Sequence, residues 1–206
     1  MGANCCDHTP DNQPRDRRYR RVLLAVLVIN AAMFLVEVVE GLAAGSASLQ
    51  ADALDFLADV ANYGISLFVL GRVLRYRSTA ALAKGVTMGV FGIWVLATCL
   101  WHVAHGAVPE PVTMGAVGGV ALIANAICFA FLWAYRAGDS NMRSVWLCSR
   151  NDVIGNFAVM LAALGVFRTG MGWPDVIVAA IMSVLALQGA WYVLRQASGE
   201  LTEVHV

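Results

Sequence analysis

Charged residues are scarce in this sequence, at 14% of its 206 positions, whereas 59% of the residues are hydrophobic. Soluble globular domains usually have about a quarter of their residues charged, so the composition disfavours a soluble domain. The fourteen basic and fourteen acidic residues cancel, which leaves no global positive charge to attract nucleic acid. The five cysteines lack the regular spacing of a disulfide-stabilised secreted domain. Together these absences indicate a membrane protein.

A cleavable signal peptide is not evident either. The first apolar segment begins near Val22, after a polar stretch that contains Pro10 and Pro14, and it is long enough to cross a membrane. Polar, proline-bearing stretches of this kind are typical of disordered segments. We therefore expect three regions: a flexible basic cytoplasmic N-terminal tail (1–21), a transmembrane domain (22–195) and a short cytoplasmic tail (196–206).

The sequence contains six long apolar segments, separated by short breaks that carry turn residues. A membrane-spanning helix needs about 20 mainly apolar residues. The segments are too long and too continuously apolar for the strands of a membrane barrel. The predicted fold is an all-α membrane protein, a bundle of six transmembrane helices, with spans at residues 22–42, 48–71, 84–105, 112–135, 145–167 and 174–195.

The positions of the basic residues predict the orientation of the bundle, because cytoplasmic loops carry an excess of lysine and arginine. Of the fourteen basic residues, Arg168 alone falls in an outer loop and Arg150 lies within a span. The N- and C-termini are therefore both expected in the cytoplasm, and the membrane is expected to be a bacterial inner membrane. The other twelve are placed on the cytoplasmic side: Arg15, Arg17, Arg18, Arg20, Arg21, Arg72, Arg75, Arg77, Lys84, Arg136, Arg143 and Arg195.

Acidic residues inside the second span form a stripe. Asp52, Asp55 and Asp59 are spaced at i, i+3 and i+7, which places them on one face of a helix, and Asn62 and Ser66 continue that face. A charged side chain at bilayer depth is unfavourable by about 2.5–3.5 kcal/mol unless it faces a polar interior. Three carboxylates on one face also repel each other, so we expect them to bind a cation, bind protons or pair with a base.

A second polar stripe lies in the fifth span, where Cys148, Asp152 and Asn156 are spaced four residues apart. Two pairs of donors at i and i+4 on facing helices can form a tetrahedral clamp, the geometry that zinc prefers. A thiolate among carboxylates favours Zn, Cd or Co over Mg or Ca. The predicted metal ligands are Asp55, Asp59, Cys148 and Asp152.

Two further groups of polar residues are candidates for supporting roles. Asp52, Asn156 and Glu37 are candidate accessory residues of the metal site. Near the N-terminus, a soft metal ion could be caught at the cytoplasmic entrance by the candidate entrance ligands Cys5, Cys6 and His8.

Structural interpretations remain open for several of these residues. Arg150 could pair with an aspartate, which would make the stripe a structural ion-pair network. Cys148 alone is typical of a small buried apolar residue, and Asp152 one turn later gives it significance as a ligand. His102 and His105 lie near a membrane face, where interfacial or packing roles are common.

The stretch GSASLQADALDFLADV resembles the second transmembrane helix of the cation diffusion facilitator family. That helix has a Gly-Ser loop, an Ala-Asp pair matched here by Asp52, and a His-or-Asp with an Asp four residues later, matched by Asp55 and Asp59. In the fifth span and elsewhere, further family positions are matched by Cys148, Asp152, Gly155 and Asn156, by Asn30, Glu37 and Gly41, and by Asn125.

The resemblance implies a divalent transition-metal efflux transporter of the Zn/Co/Cd type, which exchanges metal for protons through an intramembrane site on helices 2 and 5. A secondary transporter is not an enzyme, and the sequence has no serine–histidine pair or metalloprotease motif. The implied partners are membrane lipids, metal ions, protons and a second copy in a homodimer, with no permanently bound cofactor and no nucleic acid. The alternative is a non-transporting metal-binding membrane sensor or accessory subunit.

The sequence departs from the family pattern in three respects. Cys148 stands where the family usually has a histidine, which affects the metal preference. The histidine-rich loop that zinc transporters often have between helices 4 and 5 is absent. Because the sequence given stops at Val206, we expect the chain to lack the cytoplasmic C-terminal domain through which family members dimerise and sense metal.

Overall fold

The computed structural model describes residues 17–68, 74–134 and 140–203. Within these ranges all regular structure is α-helical, which confirms the predicted all-α bundle. The six helices are α1 (Arg17–Ala43), α2 (Ala47–Phe68), α3 (Leu74–His105), α4 (Pro111–Trp133), α5 (Ser140–Thr169) and α6 (Trp173–Glu203).

Five of the six helices are long and apolar enough to cross a membrane by length and composition, namely α1, α3, α4, α5 and α6. The remaining helix, α2, has 22 residues and carries the three aspartates of the predicted stripe. It contacts each of the other five helices. The helix that carries the acidic stripe therefore lies at the centre of the bundle, where neighbouring helices separate its carboxylates from lipid.

The outer surface of the bundle is strongly apolar. Large side chains such as Leu100, Trp191 and Phe167 are 73%, 70% and 67% exposed. A soluble monomer rarely exposes apolar side chains on this scale, whereas a membrane-spanning bundle presents them to lipid. The exposed apolar residues and the central polar helix together support a membrane-spanning domain.

Four helices extend by several residues beyond the predicted spans. α1 begins at Arg17, within the predicted N-terminal tail, α3 begins at Leu74 and α5 at Ser140, and α6 continues to Glu203 through part of the predicted C-terminal tail. Apolar windows locate only the hydrocarbon part of a helix, whereas backbone hydrogen bonding can continue into the polar interface. Lys84 is affected by this difference: the prediction that it lies in a cytoplasmic loop was wrong, because it is a buried residue of α3.

A carboxylate from the last helix caps the start of the central helix. Asp175, in the first turn of α6, is fully buried and accepts hydrogen bonds from the Ser46 hydroxyl at 2.7 Å and from the backbone N–H groups of Ala47 and Ser48 at 2.8 and 3.0 Å. Ser46 also accepts the N–H of Leu49 at 3.2 Å. The N–H groups at the start of α2, which have no partner within the helix, are thereby satisfied, and the N-terminal ends of α2 and α6 are joined.

A second acidic cap starts α4. The carboxylate of Glu110 accepts the backbone N–H groups of Val112 and Thr113, and Pro111 occupies the first helical position. The pKa of Glu110 is held below its ordinary value by hydrogen bonds to its carboxylate. The donors are the side chain of Thr113, the backbone N–H of Thr113 and the backbone N–H of Val112. The backbone N–H of Glu110 donates to Ala44 at 3.0 Å, so the loop before α4 is connected to the turn after α1.

The turn between α5 and α6 has room only for a residue without a side chain at Gly172. A Cβ added at Gly172 would lie 2.1 Å from the backbone oxygen of Ala107 and 3.5 Å from Pro109. A backbone oxygen cannot move away as a flexible side chain can. We therefore expect Gly172→Ala to destabilise the protein by at least the 1–3 kcal/mol typical of overpacking, measured as a lower thermal unfolding midpoint in detergent.

The matched control for this substitution is Gly115→Ala in α4. Gly115 has no atom within 4 Å of the added methyl group, and alanine favours helix by about 0.5–1 kcal/mol. Gly115→Ala should therefore leave the unfolding midpoint unchanged or raise it slightly. Equal midpoints for the two variants would show that the turn does not pack as the structure has it.

Candidate metal site

The acidic stripe of α2 points into the bundle. Asp52 and Asp59 are 1% and 5% exposed, Asn62 is buried, and Asp55 is half-buried. Because α2 is surrounded by the other helices, these groups lie away from the lipid-facing surface. The helical spacing in the sequence correctly indicated that the polar groups share a buried face.

Asp59 is the best-defined member of the stripe. Its Oδ2 accepts a hydrogen bond from the Tyr63 hydroxyl at 2.7 Å, and its carboxyl group is within hydrogen-bonding reach of that of Asp152 on α5. Two carboxylates at this separation repel each other when both are ionised. A proton or a metal cation between them removes the repulsion, so the pair can bind either one.

Asp55 also faces α5. A Cβ added at Gly155 would lie 3.8 Å from Asp55 Oδ2, which is ordinary contact distance, so this carboxylate lies next to α5. The structure thus directs Asp55, Asp59 and Asp152 to the interface of α2 and α5. In the part of the chain that the structure describes, however, no three His, Cys, Asp or Glu side chains are close enough together to hold a metal ion.

Four of the predicted ligands lie outside the described side chains. Cys148 belongs to α5, one turn before Asp152, but its side chain is outside the described residues. The candidate entrance ligands Cys5, Cys6 and His8 precede residue 17, where the described chain begins. The roles assigned to these four residues from the sequence stay predictions.

The three candidate accessory residues come together from three different helices. Asn156 of α5 donates to Asp52 Oδ1 of α2 at 3.3 Å and to the backbone oxygen of Asp152 at 3.0 Å. Glu37 of α1 is fully buried within hydrogen-bonding reach of Asp52. Neither Glu37 oxygen accepts a hydrogen bond among the described residues. Because ionised carboxylates are acceptors only, Glu37 and Asp52 can form a hydrogen bond with each other only when one of them carries a proton.

A second buried contact on the stripe was not expected from the sequence. Lys84 of α3 is 7% exposed, its ammonium donates a hydrogen bond to Asn62 Oδ1, and its charge acts on Asp59. Asn62 follows Asp59 by one turn toward the C-terminal end of α2. A signal was present in the sequence, because Lys84 is the one lysine of the chain and apolar residues flank it on both sides.

Polar residues of α1 and α4 meet beside the site. Asn30 is 1% exposed and its amide donates to the Val26 backbone oxygen at 2.8 Å and to Cys128 Sγ at 3.7 Å. Asn125 is also buried, on the same helix as Cys128. The contacts of Asn30 connect α1 to α4, so its buried amide helps to hold these helices next to α2.

Of the remaining polar residues weighed in the sequence, two are exposed and one is buried. Arg150 is exposed and donates to Asn151 Oδ1 at 3.5 Å. His105 is exposed at the C-terminal end of α3, where its ring stacks on Trp101 with centroids 3.7 Å apart. His102, on the same turn, is buried. The contact of His105 is of the interfacial packing kind.

Comparisons with known proteins match the chain to metal cation efflux proteins. Residues 23–202 match the profile of a family described as the cation efflux transmembrane domain. The chain is 30% identical over 224 residues to the zinc transporter ZitB of Escherichia coli strain K12, an alignment that covers 98% of this chain and 68% of that protein.

Two more distant relatives have related names. The cation efflux system protein CzcD of Alcaligenes sp. strain CT14 is 24% identical over 215 residues, covering 98% of this chain and 66% of that protein. A Bacillus velezensis protein named cadmium, cobalt and zinc/H(+)-K(+) antiporter is 22% identical over 201 residues, covering 89% and 63%. These alignments cover most of this chain and about two thirds of each relative.

Proposed function

Because this chain belongs to the cation diffusion facilitator family and is a divalent metal cation efflux transporter rather than an enzyme, we propose that it exchanges Zn²⁺, Co²⁺ or Cd²⁺ for protons across a bacterial inner membrane. One observation carries the proposal: the buried carboxyl group of Asp59 is within hydrogen-bonding reach of Asp152 on the facing helix, whose Oδ2 is also buried. The working unit is a homodimer, as the resemblance implies.

The proposed metal ligands are the three carboxylates at the α2–α5 interface together with Cys148. Carboxylate oxygens and a thiolate suit zinc, cadmium and cobalt, and four donors satisfy tetrahedral coordination. The geometry around Gly155 supports this assignment, since Asp55 Oδ2 lies at contact distance from this residue of α5. Binding would draw Asp55 and Cys148 toward the Asp59–Asp152 pair, with Asn156 orienting Asp152 through its backbone oxygen.

Proton exchange follows from the chemistry of the carboxyl pair. In the metal-free carrier, a proton held between Asp59 and Asp152 removes their mutual repulsion. A metal ion requires deprotonated ligands, so its arrival from the cytoplasm releases protons. On the outer side, protons compete for the same oxygens and displace the metal. Net export then needs two conformations of the α2–α5 interface that differ in metal affinity.

The test is zinc uptake into inverted membrane vesicles, in which the cytoplasmic side of the protein faces the medium. With an acidic lumen, we expect Zn²⁺ to accumulate above its external concentration and the lumen to become less acidic as each ion enters. Uptake that is unaffected when an ionophore collapses the proton gradient would contradict proton exchange.

The same vesicles separate a transporter from a metal-binding sensor or accessory subunit. Vesicles preloaded with unlabelled Zn²⁺ should exchange it for external ⁶⁵Zn²⁺ well beyond the amount of protein present. A protein that only binds metal saturates at a fixed number of ions per chain and shows no such counterflow. That outcome would overturn the transport proposal.

A further inference from the structure

The chain buries its one lysine beside the candidate metal site. Lys84 lies within the membrane-spanning part of α3, residues 81–105, and only 7% of it is exposed. Placing an ammonium group in the interior of a membrane protein is unfavourable unless polar or charged partners compensate it. The amide oxygen of Asn62 accepts a hydrogen bond from this ammonium, and the positive charge also acts on the carboxylate of Asp59, one turn away on α2.

The position of Lys84 along the transport route is also informative. With the N-terminus in the cytoplasm, as the basic residues predict, α2 runs from the outer face toward the cytoplasm and Asn62 is one turn closer to the cytoplasm than Asp59. The ammonium of Lys84 therefore lies between the cytoplasm and the Asp59–Asp152 pair. A cation that enters from the cytoplasm meets this positive charge before it reaches the two carboxylates.

We propose that Lys84 is a tethered counter-cation of the metal site, which balances the negative charge that remains on the singly protonated Asp59–Asp152 pair in the metal-free carrier and must be displaced when a divalent metal ion binds. The inference rests on the proposed metal site and adds a residue that sets its affinity. Lys84 is a positioning and affinity-determining residue, not a ligand, because an ammonium has no lone pair to coordinate metal.

A built-in competitor has two consequences for transport. Metal binding is weaker than the bare carboxylates would give, because each ion must displace the ammonium from Asp59. Metal release is faster for the same reason, since the returning ammonium takes over the neutralisation of that carboxylate. Removing the charge should therefore tighten binding and slow turnover, a combination that a purely structural contact between α2 and α3 would not produce.

The experiment compares Lys84→Gln, Lys84→Met and Lys84→Arg with wild type. We expect isothermal titration of purified protein with Zn²⁺ to give about tenfold tighter binding for the glutamine and methionine variants, with a severalfold lower maximal uptake rate in vesicles. Lys84→Arg keeps the charge and should stay close to wild type in both. Unchanged or weaker Zn²⁺ binding in the neutral variants would overturn the proposal.

Arg150→Gln is the matched control, because it removes an exposed positive charge at the cytoplasmic end of α5. Its Zn²⁺ affinity and uptake should equal those of wild type. Wild-type vesicles that fail to transport Zn²⁺ at all would contradict the proposed function. Normal wild-type transport with an unaltered Lys84→Gln variant would contradict only the role of Lys84.

A second measurement needs no substitution. Since Lys84 is the one lysine, its modification by a water-soluble amine reagent can be followed by mass spectrometry of the peptide that contains it. We expect saturating Zn²⁺ to increase the modification rate of the buried amine severalfold in the wild-type protein, as the ammonium is displaced. No increase in that rate on Zn²⁺ addition would overturn the proposal even if the neutral variants did not fold.

Discussion

Asp59→Asn should reduce Zn²⁺ uptake by about 100-fold or more while the protein still folds. The asparagine keeps the size of the side chain and an oxygen that can accept the Tyr63 hydrogen bond, but it removes a negative charge from a proposed ligand. Loss of a residue that only hydrogen-bonds to a metal ligand typically lowers metal affinity or activity by 10–100-fold, and loss of a charged ligand itself has a larger effect. Uptake in vesicles at matched protein amounts measures the change.

Asp152→Asn provides the corresponding test on the other helix. If the two carboxylates share one ion, either substitution should abolish most transport and the double variant should be little worse than each single one. Glu110→Gln is the control, because it neutralises an exposed carboxylate outside the bundle interior and should leave uptake unchanged. Uptake within twofold of wild type for both aspartate variants would refute the assignment of the metal site.

The second large effect is expected at the cap formed by Asp175. Asp175→Ala would leave the N–H groups of Ala47 and Ser48 and the Ser46 hydroxyl without their buried acceptor. An unsatisfied buried polar group is unfavourable by about 1–3 kcal/mol, so the loss should reach about 3 kcal/mol or more. We expect the thermal unfolding midpoint in detergent to fall by several degrees.

Conservative substitutions separate the cap from simple packing. Asp175→Asn retains one carbonyl oxygen and should fall between wild type and Asp175→Ala. Ser46→Ala removes one of the donors to Asp175 and the acceptor of the Leu49 N–H, and it should have a smaller effect than Asp175→Ala. An Asp175→Ala protein with the wild-type midpoint would show that the carboxylate does not hold α2 and α6 together.

The features that the sequence predicted well are those that depend on local periodicity. The run of apolar residues located six helices, and the i, i+3, i+7 spacing of the α2 aspartates correctly indicated one buried face. Asn156 likewise reaches Asp52, as two inward polar stripes on neighbouring helices would require. Helical spacing determines which side chains share a face, and apolar neighbours determine that this face is inside.

The features that the sequence did not predict depend on contacts between distant segments. Asp175 is 127–129 residues from the groups it caps, and nothing in its local sequence indicates that partner. Lys84 reaches Asn62 across 22 residues. A single lysine next to an apolar run is placed in a loop by hydropathy averaging, although a neighbouring helix can supply the acceptor that lets it stay inside.

The polarity of α2 has a consequence for biogenesis. On translocon insertion scales a central aspartate is unfavourable by about 2.5–3.5 kcal/mol, so three of them would oppose partitioning of an isolated α2 into lipid by several times the thermal energy. Described contacts to these groups come from α1, through Glu37, from α3, through Lys84, and from α5, through Asn156. Of these helices, α3 and α5 are synthesised after α2. The full set of polar contacts therefore forms only once α5 has emerged from the ribosome, and until then the nascent second helix depends on the insertion machinery or on α1.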